Sequence, residues 1–377
     1  MGYFPTEERK WMEVEELKRT LKFGVDAVVT RSPMNEDPPP PGDMKRRKKS
    51  SFDVDGVRDD EVVCVTSGLS FLGLAIVNCL LSRGYSVRIL VDSQDEIEKL
   101  RELETSGEIR RPPHVTVHPV VAKLSEVGSL AEAFHGCRGL FHSAGFIDPS
   151  GLSGYTKSMA EIEVKACENV MEACSRTPSM RKCVLTSSLL ACLWRDGTST
   201  DSPPVINHES WSDESLCVDK KLWYALGKLR AEKAAWRISQ EKGLNLASIC
   251  AGLIEGPDFC SRNPTATFAY LKGADEMFER GVLAAVDVTK LAEAHISVYE
   301  AMNWKANGGR YVAYDRIIER REEAEDLAER IGMPMNRICG DMDNNSVVAR
   351  FRLSNRKLFT LRSRTLRDCY YQNFVSE

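Results

Sequence analysis

Residues 61–93, EVVCVTSGLSFLGLAIVNCLLSRGYSVRILVDS, constrain the fold more than any other stretch. Val62–Val65 reads as a short buried strand. A turn of small residues follows, then an amphipathic helix from about Leu72 to Leu81. Gly84 ends that helix, and Val87–Val91 forms a second strand. A strand–helix–strand unit of roughly 30 residues is a crossover, so its strands run parallel. The helix N-terminus in such a unit offers free backbone N–H groups to a pyrophosphate. Asp92 stands 19 residues after Gly73, at the end of the second strand, where a carboxylate accepts from the ribose hydroxyls of NAD.

The same grammar recurs downstream. Val115–Val121, Gly139–Ala144, Arg181–Ser187 and Leu244–Cys250 read as strands, and Ser129–Phe134 and Glu161–Cys174 as helices. Alternating strands and helices predict an α/β fold with a doubly wound parallel sheet. Ligands of such sheets bind beyond the carboxyl ends of the strands. Ser70, Ala144 and Ser188 all fall at such ends, and Ala144 is small enough for a cofactor to pass.

Tyr224 and Lys228 carry the candidate chemistry. They sit four apart in KLWYALGKLRAEKAAW, a segment rich in helix formers, so they share one helix face. A phenol is a weak acid, with a reference pKa of ~10, and a fixed cation beside it favours the phenolate. Such a Tyr exchanges a proton with a carbonyl oxygen. Ser187 or Ser188, at the end of the preceding strand, would hold that oxygen.

A chain of 377 residues buries a sizeable core, and 42% hydrophobic with 28% charged residues is ordinary for a soluble protein. The net charge of −4 gives no electrostatic case for nucleic acid, and no apolar run is long enough to span a membrane. Twelve Cys without a Cys-x-x-Cys suit reduced, buried thiols in the cytosol. The six His show no zinc spacing, so no metal is expected.

Residues 1–60 are expected to be a flexible extension. They hold one short apolar face (Trp11, Val14, Leu17, Leu21), four successive prolines and a basic run, Lys45–Lys49. Residues 61–250 are expected to form the dinucleotide-binding domain. Residues 251–377 are expected to form a smaller lobe over the substrate, ending in a basic stretch suited to a solvated face or to an acidic moiety such as a CoA phosphate.

Residues 61 to about 320 resemble extended short-chain reductases, in particular the plant dihydroflavonol reductase and cinnamoyl-CoA reductase group. The resemblance rests on VCVT, FLG, RGYSVR, KCVLTSSLLA, ESWSDESLC, WYALGK, AEKAAW, LAEAH and GGRYVAYD. It implies a Rossmann fold and a catalytic set of Ser188, Tyr224 and Lys228. Tyr224 would be the proton donor, Lys228 would lower its pKa and hold the nicotinamide ribose, and Ser188 would hold the oxyanion. The glycine-rich turn of the family corresponds to Thr66, Ser67, Gly68, Ser70, Phe71, Leu72 and Gly73. Ser67 and Ser70 stand where glycine is usual, and a positive φ costs more for Ser than for Gly. NADPH-using members carry an Arg at the position of Asp92, Lys99 matches a basic position in that loop, and Lys123 replaces an adenine-contacting Asp. The resemblance thus implies NADP, whereas Asp92 favours NAD. It implies cytoplasmic reduction of a small aromatic, phenylpropanoid-like carbonyl or CoA thioester, as in lignin and defence chemistry. A cofactor-binding regulatory protein with weak turnover, and a hydroxysteroid dehydrogenase or sugar epimerase, are the alternatives.

Overall fold

The structure, a computed structural model, describes residues 61–143, 155–196, 203–303, 308–340 and 351–363. Residues 1–60, with their expected helix and basic run, lie outside the described residues, as does Ala144.

Seven strands form the central sheet: β1 (Val62–Val65), β2 (Ser86–Val91), β3 (Val117–Val121), β4 (Gly139–His142), β5 (Lys182–Ser188), β6 (Asn245–Ala251) and β7 (Gly309–Ala313). Their order is β7-β6-β5-β4-β1-β2-β3, and every pairing is parallel. The helices that pack on it include α1 (Phe71–Ser82), α2 (Gln94–Thr105), α3 (Val127–Phe134), α4 (Lys157–Arg176), α5 (Trp223–Lys242) and α6 (Val288–Ala301).

Alternation along the strands explains why the sheet is covered on both faces. Val63 and Val65 of β1 join one apolar cluster with α1 and α6, while Cys64 between them joins the other with α3, α4 and α5. Successive side chains of a strand point to opposite faces, and a parallel sheet buries both. The chain runs outward from β1 to β3, then returns to β4 on the other side of β1. That reversal opens a crevice at the carboxyl ends of β1 and β4.

The expected boundary at residue 250 cuts across this sheet. GGRYVA supplies β7, paired in register with β6, and α6 packs in the same apolar cluster as α1. The segments that do leave the sheet are small. Leu253–Glu255, Ala284–Asp287 and Arg316–Ile317 make a three-stranded sheet, and Val205–Ile206 pairs with Arg352–Leu353. Helix α4 starts at Lys157 rather than Glu161, because the Thr156 side chain accepts from the Met159 amide and caps it. Every cysteine among the described residues is a free thiol. No helix among the described residues is long and apolar enough to cross a membrane.

Candidate active site

The phosphate end of the crevice is built by the β1–α1 turn. Ser70 is the N-cap of α1, with its hydroxyl accepting from the Gly73 amide at 3.1 Å and donating to the Ser67 carbonyl at 2.8 Å. Its φ is −72°, and Ser67 does not have positive φ either. The expected backbone penalty at the two serines is therefore absent. Gly73 is required for a different reason: a Cβ there would lie 1.7 Å from the Ser67 carbonyl oxygen. Phe71 and Leu72 occupy the first helical turn, where amides lack an intrahelical acceptor and can meet a phosphate. Thr66 does not face that crevice as a free hydroxyl, because its Oγ1 pairs with His142 Nδ1 at 3.0 Å across β1 and β4. Burial, with Lys228 adding to it, pushes the His142 pKa down to about 3, so this ring is neutral.

The ribose end lies just past β2. The Asp92 amide donates to Glu96 Oε2 at 2.7 Å, so a second carboxylate folds back beside Asp92. Partial burial and then Glu96 raise the Asp92 pKa, against the pull of Lys123. Lys123, rather than Lys99, is thus the cation that acts on Asp92. Lys99 lies on the exposed face of α2, and no contact ties it to the crevice.

The expected catalytic residues meet at one cleft, lined by Ser67, Ser70, Phe71 and Leu72 at one end, by Ser188, Tyr224 and Lys228 in the middle, and by Leu253, Ile254 and Tyr270 beyond. Ser188 ends β5, and its hydroxyl accepts from the Leu190 amide at 3.2 Å, which leaves its O–H to donate into the cleft. Tyr224 lies in the first turn of α5, after a turn in which Lys221 has φ of +52°. Lys228 follows one turn later, its Nζ 5.5 Å from the Tyr224 ring centre. Burial raises the Tyr224 pKa, Lys228 pulls it down and Glu163 adds to the rise, so the net direction is upward. The expected lowering by Lys228 is real but outweighed. A phenol that holds its proton suits the donor role.

The cleft fits a dinucleotide on the residues present. Ser143 Oγ, one position before Ala144, lines it and is buried without a hydrogen-bond partner among the described residues. The first-turn amides of α1 stand at one end, and the Asp92 and Glu96 carboxylates lie at the end of β2.

Three site residues were missed by the sequence reading. Glu163, on α4, pairs with Lys228 Nζ at 2.5 Å. Glu232, one turn past Lys228, is fully buried and accepts from Ser187 at 2.8 Å, Ser248 at 2.6 Å and Arg310 Nε at 2.8 Å. Arg310, on β7, also donates to the Ser210 and Ala191 carbonyls and stacks 3.6 Å from the centre of the Trp211 ring. Ser212 donates to the Leu190 carbonyl at 2.8 Å and accepts from the Trp194 amide at 2.9 Å, while Asp213 caps the helix Glu214–Asp219. The motifs WSD, AEKAAW and GGRY thus form one buried network that fixes the strand end bearing Ser188 to the helix bearing Tyr224 and Lys228. The available signal was a Glu one turn past Lys228 on the same helix face.

Comparisons with known proteins agree with this architecture. The family model described as the 3-beta hydroxysteroid dehydrogenase/isomerase family matches residues 64–248. Cinnamoyl-CoA reductase 1 of Petunia hybrida is 32% identical over 324 residues, covering 84% of this chain and 92% of that protein. Tetraketide alpha-pyrone reductase 1 of Arabidopsis thaliana is 31% identical over 300 residues, covering 76% and 88%. Among solved structures, vestitone reductase from alfalfa superposes with a TM-score of 0.57 at 25% identity, covering 80% of this chain and 91% of that one. The chain therefore belongs to the extended short-chain dehydrogenases/reductases, in the group that includes the plant cinnamoyl-CoA reductases, and is an NAD(P)-dependent oxidoreductase.

Proposed function

We propose that this protein reduces the carbonyl or thioester group of a small aromatic, phenylpropanoid-like substrate and prefers NADH to NADPH. The observation that carries the reading is the single cleft shared by Ser188, Tyr224 and Lys228, with an apolar wall of Leu253, Ile254 and Tyr270 beyond them. That wall suits an aromatic ring, and cinnamoyl-CoA reductase relatives supply the substrate class by name.

In this reading the Ser188 and Tyr224 hydroxyls both donate to the substrate oxygen and stabilise the charge that develops on it. Tyr224 then passes its proton to that oxygen. Lys228 holds the nicotinamide ribose hydroxyls and keeps Tyr224 in line. The first-turn amides of α1 would hold the pyrophosphate, and Asp92 the adenine ribose. Bound NAD(P)H would supply the hydride. The NADH preference follows from charge: Asp92 and Glu96 together repel a 2′-phosphate, while a carboxylate accepts from two free ribose hydroxyls.

The described part of the basic C-terminal stretch, residues 351–363, is not among the residues lining the cleft. Within it, Arg362 pairs with Glu293 at 2.7 Å, and Lys357 lies 4.7 Å from the Tyr311 ring centre. The test is a coupled assay of NADH and NADPH oxidation with cinnamoyl-CoA thioesters, the matching aldehydes and 3-ketosteroids. Turnover of the aromatic acyl or carbonyl compounds is expected. Turnover confined to steroids, or none with either cofactor, overturns the reading.

A further inference from the structure

Glu163 stands in a place that the proposed reaction does not explain. It lies on α4, is only 6% exposed, and its Oε1 is 2.5 Å from Lys228 Nζ. Its Oε2 accepts from the Tyr155 hydroxyl. The Tyr155 ring in turn stands edge-on to Tyr224, with ring centres 5.0 Å apart at 73°. Three side chains, from α4, α5 and the segment before α4, therefore close on one another behind the Tyr224 phenol.

The backbone is arranged to bring them together. Gly227 sits inside α5, where glycine costs about 1 kcal/mol relative to alanine. A Cβ there would lie 3.1 Å from Ala160 of α4. The glycine lets α4 and α5 approach closely, and Glu163 is one turn beyond Ala160. A small hollow, about the size of one water, lies beside the ion pair, with His142, Thr186, Ser187 and Glu232 among its lining residues.

The other groups facing Lys228 carry little compensating charge. His142 of β4 is neutral. Burial pushes the Cys167 thiol of α4 up to about 12. Burial likewise raises the Tyr155 and Tyr270 phenols. Glu232 of α5 is committed to Arg310 at 2.8 Å. Burial works against the charge on Lys228, the Glu163 carboxylate favours it, and the net direction is upward, so that ammonium stays protonated.

We propose that Glu163 is a positioning residue that holds Lys228 in place and offsets its charge, so that Tyr224 keeps its proton for donation. The inference rests on the reductase reading for its purpose, but its physical core, the coupling of Glu163 to Tyr224, is independent of turnover. In Glu163→Gln the shape and one hydrogen bond survive while the negative charge goes. Lys228 then acts on Tyr224 unopposed, and the phenol becomes the stronger acid.

The test is ¹³Cζ-tyrosine NMR of the full chain through an alkaline titration, with the Tyr224 signal assigned by its loss in Tyr224→Phe. Glu163→Gln should lower the Tyr224 midpoint by about one pH unit or more. The alkaline limb of the carbonyl-reduction profile should fall with it, while Tyr155→Phe, which removes a hydrogen bond but no charge, leaves both in place. An unmoved midpoint in Glu163→Gln, or an equal shift in Tyr155→Phe, overturns the proposal. If Glu163→Gln does not fold, Glu163→Asp serves, with a smaller downward step expected and no step overturning the proposal. A shifted midpoint in a protein without reductase activity would sink the reductase reading and leave the coupling standing.

Discussion

The two ends of the crevice are built differently. The catalytic end is a closed network: Glu232 receives four donors from three strands, and Lys228 and Arg310 each have a buried carboxylate at 2.8 Å or less. The cofactor end is open and held mostly by backbone. Its contacts are a serine cap on α1, a carboxylate folded over one amide, and an orphaned Ser143 hydroxyl. The proposed chemistry at the first end needs a phenol, an ammonium and a hydroxyl fixed to within a fraction of an ångström, and buried networks supply that rigidity. The second end has only to receive a ligand that brings its own hydrogen bonds. Substitutions at the catalytic end should therefore act on folding and rate, and substitutions at the cofactor end on affinity and preference.

The largest effect expected is at Arg310. Arg310→Met leaves Glu232 as a buried carboxylate without its cation, and breaking such a pair costs about 3–5 kcal/mol. Urea unfolding should show that loss. Arg310→Met combined with Glu232→Met should recover much of it. A single-variant loss below about 1 kcal/mol would mean that the network does not hold the catalytic end, and the contrast between the ends would fail.

Tyr224→Phe comes next. It removes the proposed proton donor and little else, since a half-buried ring keeps its packing. Turnover should fall by ~10² or more with unchanged melting. Retention of a tenth of the rate would reassign the acid.

The difference between the ends also explains what was legible in the sequence. Strands and helices of the sheet are local patterns, so β1, α1 and β2 were readable to within a residue or so. Tyr224 and Lys228 share one helix turn and were readable for the same reason. Helix α2 was not among the elements read, because it is charged throughout and buries only Leu100. Glu232 and Arg310 are 78 residues apart, and Glu163 meets Lys228 from a different helix. Nothing in local periodicity pairs such residues. The familiar motifs WSD and AEKAAW carried the resemblance, but their physical role became visible only when Arg310 was found between them. At the cofactor end the error ran the other way. The missing glycines suggested strain, yet the turn places Ser67 and Ser70 without positive φ.

Asp92→Arg should act on preference alone. It removes one of two carboxylates near the ribose and adds a group that pairs bidentately with a phosphate. The ratio of NADPH to NADH affinity should rise on the order of tenfold or more, read by isothermal titration, with stability unchanged. NADPH preference in the wild type would mean that Lys123 governs the site instead of Asp92.

The smallest effect is at Ser70, and it bears on whether the open end is intact or degraded. Ser70→Gly restores one of the two usual glycines. If the serine were a defect, restoration should tighten cofactor binding and stabilise the turn. The geometry argues otherwise. With φ at −72° the position needs no glycine, and the hydroxyl satisfies the Gly73 amide while donating to Ser67. Glycine is nearly as good an N-cap as serine, so losing the cap costs only a few tenths of a kcal/mol, and the added chain entropy costs roughly 0.5–1 more. The variant should therefore melt a few degrees lower. Its cofactor affinity should change less than about threefold, because the Phe71 and Leu72 amides at the helix N-terminus stay where they are. A tenfold gain in affinity would show that the Ser70 hydroxyl obstructs the phosphate, and the open end would then be a weakened site rather than a complete one.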